Sequence, residues 1–284
     1  MRAVFKDSML QQAIEERGYV TIPFLSEKEV DLLRSIYENN KSDRDSSEFH
    51  LSIWTSDVER KKVIHDEIVG VIKQKCIDLF DNYKHVVSNL AVKHPGQKSD
   101  FDLHQGINFV EEERFTSITL WIPLQDVNEE NGCMQVIPRS HTFFNQPVRS
   151  QHYPTPFENI KEHIKKNHLV NLEMKSGEAW IFNHRLLHCS PVNQSNHVRL
   201  ATLNVMVPSE ASVILYYKAS NEVQSESVEI LEFMESNYHL QNVYAKPEVS
   251  GLISRGFTKE IHYQLSAVEF DAIVEPSIGS TNDY

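Results

Sequence analysis

Ser117-Ile118-Thr119-Leu120-Trp121-Ile122-Pro123-Leu124 alternates without a break, with Ile118, Leu120, Ile122 and Leu124 on one side and Thr119 and Trp121 on the other. Successive side chains of a strand point to opposite faces, so this stretch predicts a strand with one face on a core and the other toward a cavity. The same texture extends outward from it. Short β-rich runs at 85–93, 101–110, 115–126, 133–137, 169–174, 178–182, 199–207 and 213–217 alternate with turn residues. Asn128-Glu129-Glu130-Asn131-Gly132 and Lys175-Ser176-Gly177 read as turns. The strand count predicts a mainly β fold with flanking helices (α+β), a double-stranded β-helix or jelly-roll barrel.

The rest of the chain frames that barrel. Residues 8–17 predict a short helix ended by Gly18, and 19–24 a brief strand. Ser26 followed by Glu29 is a capping box, and Val30, Leu33 and Tyr37 continue at helical spacing. Ser56-Asp57 caps a long helix to about Tyr83, with Val63, Ile64, Ile68, Val71, Ile72 and Leu79 as its apolar stripe. His50, His65 and His85 lie in or beside these segments and read as packing or surface histidines. Residues 144–167 break the strand pattern with three prolines and then a helix over 157–167, a lid or a solvated rim insertion. Beyond it the chain predicts a helix over 227–238, a strand near 259–264 and a frayed tail over 276–284. The whole is expected to be one domain, 1–284: N-terminal helices 1–84, barrel 85–218, C-terminal extension 219–284.

Composition narrows the partners. A formal net charge of -12, with 40 Asp+Glu against 28 Lys+Arg, argues against general affinity for nucleic acid or anionic membrane. Cys76, Cys133 and Cys189 are an odd count without C-x-x-C spacing, which fits reduced thiols in a cytosol. No apolar run has signal or membrane-span length, so a cytoplasmic location is expected.

Leu103-His104-Gln105-Gly106-Ile107-Asn108-Phe109 carries the chemistry, together with Leu187-His188-Cys189-Ser190. Oxygen-activating iron is commonly held by two His and one carboxylate, the first His and the carboxylate two residues apart on one strand. Here the second of those positions is Gly106. Period two puts 104 and 106 on one face, so this chain offers no side chain there and leaves a coordination position open to a small anion. His184 is the rival to His188. Asp102 and Glu111, Glu112 and Glu113 are the acids placed to replace the missing carboxylate, although the Glu run reads as a solvated rim.

Several of these pieces resemble one family jointly. The run Lys93-His94-Pro95-Gly96, His104-Gln105, Trp121-Ile122-Pro123-Leu124, Asn131-Gly132 and Pro138-Arg139-Ser140-His141 is similar to the phytanoyl-CoA dioxygenase family of Fe(II)/2-oxoglutarate enzymes. Gly177-Glu178 through Phe182, His188-Cys189-Ser190, Asn193 and Arg199 extend the resemblance, which spans residues 10 to 207. It implies iron ligands at His104 and His188, O2 as oxidant, and Arg199 as the partner of the distal carboxylate of 2-oxoglutarate. Ser190 would add a hydroxyl to that carboxylate, Trp121 would line the cosubstrate pocket, and Gln105 would face away from the metal.

Two departures from the family stand out. Arg139 stands where the family usually has Gly, in a turn expected near the substrate mouth, and His141 beside it reads as a turn residue. Gly106 stands where the family's hydroxylases have Asp. In that respect the chain is similar to iron/2-oxoglutarate halogenases such as the syringomycin-type chlorinases, which implies chloride or bromide beside the iron and halogenation of an unactivated aliphatic C–H. The implied substrate is a small molecule: an amino acid, a nucleotide, or an acyl group tethered to a carrier protein. Arg139, Arg149, Lys161, Lys165 and Lys166 would supply the basic patch that an acidic carrier, a phosphate or a free carboxylate needs. Two alternatives stay open, a hydroxylase of the same family, natural or with an altered metal-binding Asp, and a non-catalytic binding protein on the same barrel.

Overall fold

A computed structural model describes residues 2–42, 48–144, 146–150, 152–218, 222, 225–233 and 252–278. In chain order the elements are α1 (Ser8–Arg17), β1 (Tyr19–Pro23), α2 (Glu27–Asn40), β2 (Phe49–Leu51), α3 (Val58–Leu79), β3 (Tyr83–Lys93), β4 (Phe101–His104), β5 (Ile118–Pro123) and β6 (Met134–Val136). They continue with α4 (Lys161–Asn167), β7 (Val170–Leu172), β8 (Glu178–Asn183), β9 (His188–Ser190), β10 (Arg199–Pro208), β11 (Ile214–Tyr217), β12 (Ser227–Phe233), β13 (Leu252–Lys259) and α5 (Ala267–Ile278).

Local chemistry sets the helix ends. The Asp7 carboxylate accepts from the backbone N–H groups of Met9 and Leu10 at the start of α1, and Gly18 closes it at φ 84, a left-handed conformation suited to glycine. Ser26 and Glu29 form the reciprocal capping box of α2, and Asp57 caps α3 through the Arg60 N–H.

Two sheets make the barrel. The larger has the order β1-β8-β5-β10-β3-β2, the smaller β4-β9-β6-β7, and every pairing within them is antiparallel. The alternation of β5 divides as its sequence dictates. Ile118, Leu120, Ile122 and Leu124 join the outer core with Leu33, Ile64, Ile68 and Ile72 of α2 and α3, whereas Trp121 packs inward with Trp180, Phe182, Val136 and Met134. The back of the smaller sheet is covered differently: Leu103, Leu187 and Cys189 meet Phe144, Phe157 and Ile164, then Phe270 and Val274 of α5. A third sheet, β11-β12-β13, closes one end.

Several expectations need correction. The strand expected over 101–110 stops at His104, because its partner β9 is three residues long and offers no further ladder. Residues 227–233 form a strand and not a helix, since Val228, Leu231 and Phe233 are buried at strand positions between β11 and β13; 234–238 lie outside the described residues. The strand expected near 259–264 lies instead at 252–259. The tail is helical to Ile278, held by buried Phe270 and Val274, and 279–284 lie outside the described residues. Arg139 adopts φ 69, keeping the left-handed turn that glycine would suit, and its N–H donates to the Arg17 carbonyl (2.8 Å) at the end of α1, away from the cavity described below.

Candidate metal centre

Sheet register brings the two histidines together. His104 on β4 and His188 on β9 are direct cross-strand partners after a bulge in β4, and side chains so paired share a face. Their ring centroids lie 4.2 Å apart. Nδ1 of His104 is 2.8 Å from the Asp102 carbonyl oxygen and Nδ1 of His188 is 2.8 Å from that of Leu186. A carbonyl only accepts, so each proton sits on Nδ1 and each lone pair on Nε2, the tautomer in which a backbone-oriented imidazole binds a metal. The rings of Phe182 (4.7 Å) and Trp180 (5.7 Å) flank His188, and that of Phe101 (4.6 Å) flanks His104. Burial lowers His104 to about 4, against a weaker upward pull from the Asp102 backbone, and burial plus repulsion from His104 takes His188 well below its ordinary value. Both rings are therefore neutral donors at pH 7, and they fit a divalent metal.

No carboxylate among the described residues joins them within ligand distance. Asp102 is clasped from outside by Lys161 (3.0 Å) and Lys165 (2.6 Å) of α4; burial opposes ionisation, but these hydrogen bonds bring its carboxyl down to about 2. Glu112 is not the solvated rim residue expected. It is buried, and both its oxygens accept from Arg149, at 2.7 and 2.8 Å. Glu111 pairs with Arg114 at the surface.

Gly106 lies past the end of β4, and its surroundings correct the expectation of open space. A Cβ built there would meet Cγ, Cβ and Nδ1 of His184 at 3.0, 3.1 and 3.1 Å. The backbone fixes that approach: the Gly106 N–H donates to the His184 carbonyl (2.7 Å), and the Gly106 carbonyl accepts from Arg149 Nε (3.0 Å). His184 is anchored on both sides, its Nδ1 3.1 Å from the Ile107 carbonyl and its Nε2 2.8 Å from the Thr119 hydroxyl. It is thus a neighbour of the histidine pair and packs on Gly106.

Behind the pair lie two buried basic side chains. Arg199, 1% exposed, and Lys93, 0% exposed, are direct cross-strand partners on β10 and β3. Like charges in that relation destabilise a ladder. Among the described residues Lys93 Nζ donates to the Ser190 and Pro191 carbonyls. Burial, reinforced by Arg199, lowers its pKa to about 6. Arg199 donates to the Gly132 carbonyl and lies 5.4 Å from the Trp121 ring centroid, and its buried Nε has no partner among the described residues. A buried guanidinium beside an amine that a bound anion would protonate fits a dicarboxylate such as 2-oxoglutarate. Ser190 is buried beside them, and Trp121 forms the aromatic floor under Arg199. Sequence reading gave Lys93 no role, although the signal was there: one strand ends and its neighbour begins on a basic residue.

A cavity of ≈ 410 Å³ opens in front of the histidines, lined among others by Gly106, His184, Phe182, Arg149, Tyr153 and Lys161. Arg199, Ser190 and Trp121 do not reach its surface. Gln105 is anchored through its amide on the Arg185 carbonyl, and His141 is a buried turn residue, its Nε2 3.1 Å from the Glu15 carbonyl. His65 and His85 serve packing, through the Ser88 N–H and hydroxyl respectively, and His50 is buried in the same region. The expected basic patch is not formed. Arg149 is spent on Glu112, Lys161 and Lys165 on Asp102, Glu158 and Glu162, and Arg139 belongs to another surface, which leaves Lys166, exposed on α4.

The profile of the phytanoyl-CoA dioxygenase (PhyH) family matches residues 14–201, well over half of the chain. A phytanoyl-CoA dioxygenase domain-containing protein 1 homologue of Dictyostelium discoideum is 27% identical over 153 residues, 50% of this chain and 53% of the relative. Peroxisomal phytanoyl-CoA dioxygenase of Bos taurus is 29% identical over 107 residues, 35% of this chain and 31% of the relative. The chain thus spans about half or less of the curated relatives it matches. Among solved structures, the non-heme alpha ketoglutarate dependent carbocyclase SnoK from nogalamycin biosynthesis superposes with a TM-score of 0.52 at 21% identity, covering 73% of this chain and 86% of SnoK. HygX from Streptomyces hygroscopicus, solved with nickel and 2-oxoglutarate, gives 0.50 at 15% identity over 72% of this chain and 88% of HygX. These likenesses establish the shared barrel. No helix among the described residues is long and apolar enough to cross a membrane.

Proposed function

The chain belongs to the phytanoyl-CoA dioxygenase family, and from that premise we propose an Fe(II)/2-oxoglutarate-dependent enzyme that halogenates an unactivated aliphatic carbon of a small molecule. The observation that carries this reading is the accounting of acids around His104 and His188: Gly106 offers no side chain, Asp102 is held by two lysines, and Glu112 is held by Arg149. His104 and His188, both neutral and joined by no carboxylate, would leave an iron held there with the room and the positive charge that suit chloride. Iron bound there with 2-oxoglutarate and O2 would supply the power to abstract hydrogen from an aliphatic C–H.

The chain's own residues prepare the site. His104 and His188 present Nε2 lone pairs, with both rings fixed by backbone carbonyls. Arg199 and Lys93 take the distal carboxylate of the cosubstrate, Trp121 supports the guanidinium, and Ser190 completes that end. Phe101, Phe182 and Trp180 cover the flanks of the metal ligands, leaving their approach to the cavity. A substrate in the front cavity faces this assembly, and its placement decides which atom reaches the carbon radical.

One observation favours a second reading, hydroxylation on the same pair of histidines. The His184 ring fills the space in front of Gly106, so that face is narrower than a bare glycine suggests. One experiment separates the two. The protein is loaded anaerobically with Fe(II) and 2-oxoglutarate, exposed to O2 with a panel of free amino acids and nucleotides, and the products are weighed with and without chloride. A mass gain bearing the chlorine isotope pattern, present only with chloride, is expected; a gain of oxygen in both conditions overturns halogenation. Absence of the weak visible charge-transfer band of the Fe(II)–2-oxoglutarate pair would instead mark a binding protein.

A further inference from the structure

Away from the cavity, three donor atoms converge where α4 meets α5. His163 belongs to α4, His168 caps its C-terminal end, and Asp271 comes from α5, far along the chain. His163 Nε2 and His168 Nε2 lie 2.8 and 2.7 Å from the same carboxylate oxygen, Asp271 Oδ1. All three donors fall within 4.8 Å of one another. We propose that His163, His168 and Asp271 form a second metal site, for a divalent transition ion of the zinc class, that staples the C-terminal helix to α4.

The donor set is the first reason. Two imidazoles and a carboxylate are a ligand set that borderline ions such as Zn(II) accept, with the fourth position left to water. Geometry is the second. Ligands at about 2.0–2.1 Å in a tetrahedron stand about 3.3 Å apart, so each nitrogen must back away from Oδ1 by about half an ångström, while the two nitrogens, within 4.8 Å of each other, settle to the same spacing around the ion. Partial exposure permits this: the three side chains are 33%, 12% and 35% exposed. Ring placement is the third. The His168 ring packs 5.6 Å from Phe270, and the Asn167 amide nitrogen, held on the His163 carbonyl at 2.8 Å, donates to His163 Nδ1 at 3.2 Å, so both rings are placed before an ion arrives; ligation through His163 Nε2 moves that ring's proton to Nδ1 and turns the amide aside. Convergence of ligands from helices a hundred residues apart has a consequence for the site in front. α4 carries Lys161 and Lys165, which hold Asp102, whose carbonyl orients His104.

This inference stands apart from the iron reading, and its test does too. Zn(II) alone is titrated into the full chain and into the H163A/H168A variant, both side chains being partly exposed, with bound metal counted after desalting. The variant is expected to retain one equivalent fewer than the unaltered chain, whatever the His104–His188 pair binds. Co(II) in place of Zn(II) should give intense four-coordinate visible bands that the variant loses, and D271N should weaken binding at least tenfold. Unfolding of the unaltered chain should shift to higher temperature with Zn(II), and that of the variant should shift less. Equal stoichiometry in the two chains, or cobalt bands that survive H163A/H168A, overturns the site and leaves a plain ion pair.

Discussion

At the residue scale, Gly106 and His184 act as a pair. A side chain at 106 must displace an imidazole held by both its nitrogens, at contacts of 3.0–3.1 Å. Overpacking of that kind costs typically about 1–3 kcal/mol. G106A is therefore expected to lower the stability measured by urea unfolding by that amount, G106D by more, and G106D/H184A to recover part of the loss; a G106D midpoint equal to the parent's would show that the space is free. The sequence could not display this collision. Glycine in a His-x-Gly stretch reads as missing chemistry, while the reason for it here is a neighbour supplied by the loop after β8. Lys93 permits a second test. Burial has lowered its pKa to about 6, so it is mostly neutral at pH 8, and a dicarboxylate beside it would restore the charge. Binding of 2-oxoglutarate should then take up close to one proton, read as a dependence of calorimetric enthalpy on the ionisation enthalpy of the buffer. K93M should abolish that dependence. Uptake that persists in K93M places the proton elsewhere.

At the scale of elements, two ion pairs that look alike in a contact map differ in worth. Arg149 and Glu112 are 2% and 3% exposed and hold the 146–150 segment against the residues around Gly106, whereas Asp102 is 49% exposed beside Lys161 and Lys165. Breaking a buried pair from one side costs about 3–5 kcal/mol; an exposed pair contributes about 0–1 kcal/mol. E112A should thus unfold at much lower urea than the parent, and D102N should be nearly silent in stability while α4 becomes more open to limited proteolysis. Equal midpoints for the two would refute the ranking. Elements whose limits depend on local chemistry were legible from the sequence: the end of α1 from Gly18, α2 from Ser26 and Glu29, β5 from strict alternation. Elements defined by a distant partner were not. β9 is three residues long and exists because β4 and β6 flank it, and 227–233 is extended because β11 and β13 are there to pair with it.

For the molecule as a whole, the same burial that readies imidazoles for a metal makes the fold sensitive to acid. Burial lowers His85, His104, His141 and His184 each to about 4, from an ordinary value of 6.5. They are bases with depressed folded values, so the unfolded chain binds protons first as the pH drops. Their contribution is complete above about pH 6.5 and is lost as the pH falls toward 4. Lys93 adds to the same slope higher up, since its folded value near 6 lies below the 10.5 of the unfolded chain. Asp102, at about 2, loses its contribution only in stronger acid and does not offset the trend in this window. One group shifted so far forfeits roughly 3 kcal/mol once fully protonated, and four together rival the whole stability of a typical domain, about 5–15 kcal/mol. Thermal unfolding of the metal-free protein should therefore be latest on the alkaline side and should fall steeply below about pH 6.5. H85N/H141N, which leaves the histidine pair intact, should flatten that slope by removing two of the four groups. A melting temperature constant between about pH 7.5 and 5 would mean that these rings are solvated and that the dry, neutral environment argued for the metal ligands does not exist.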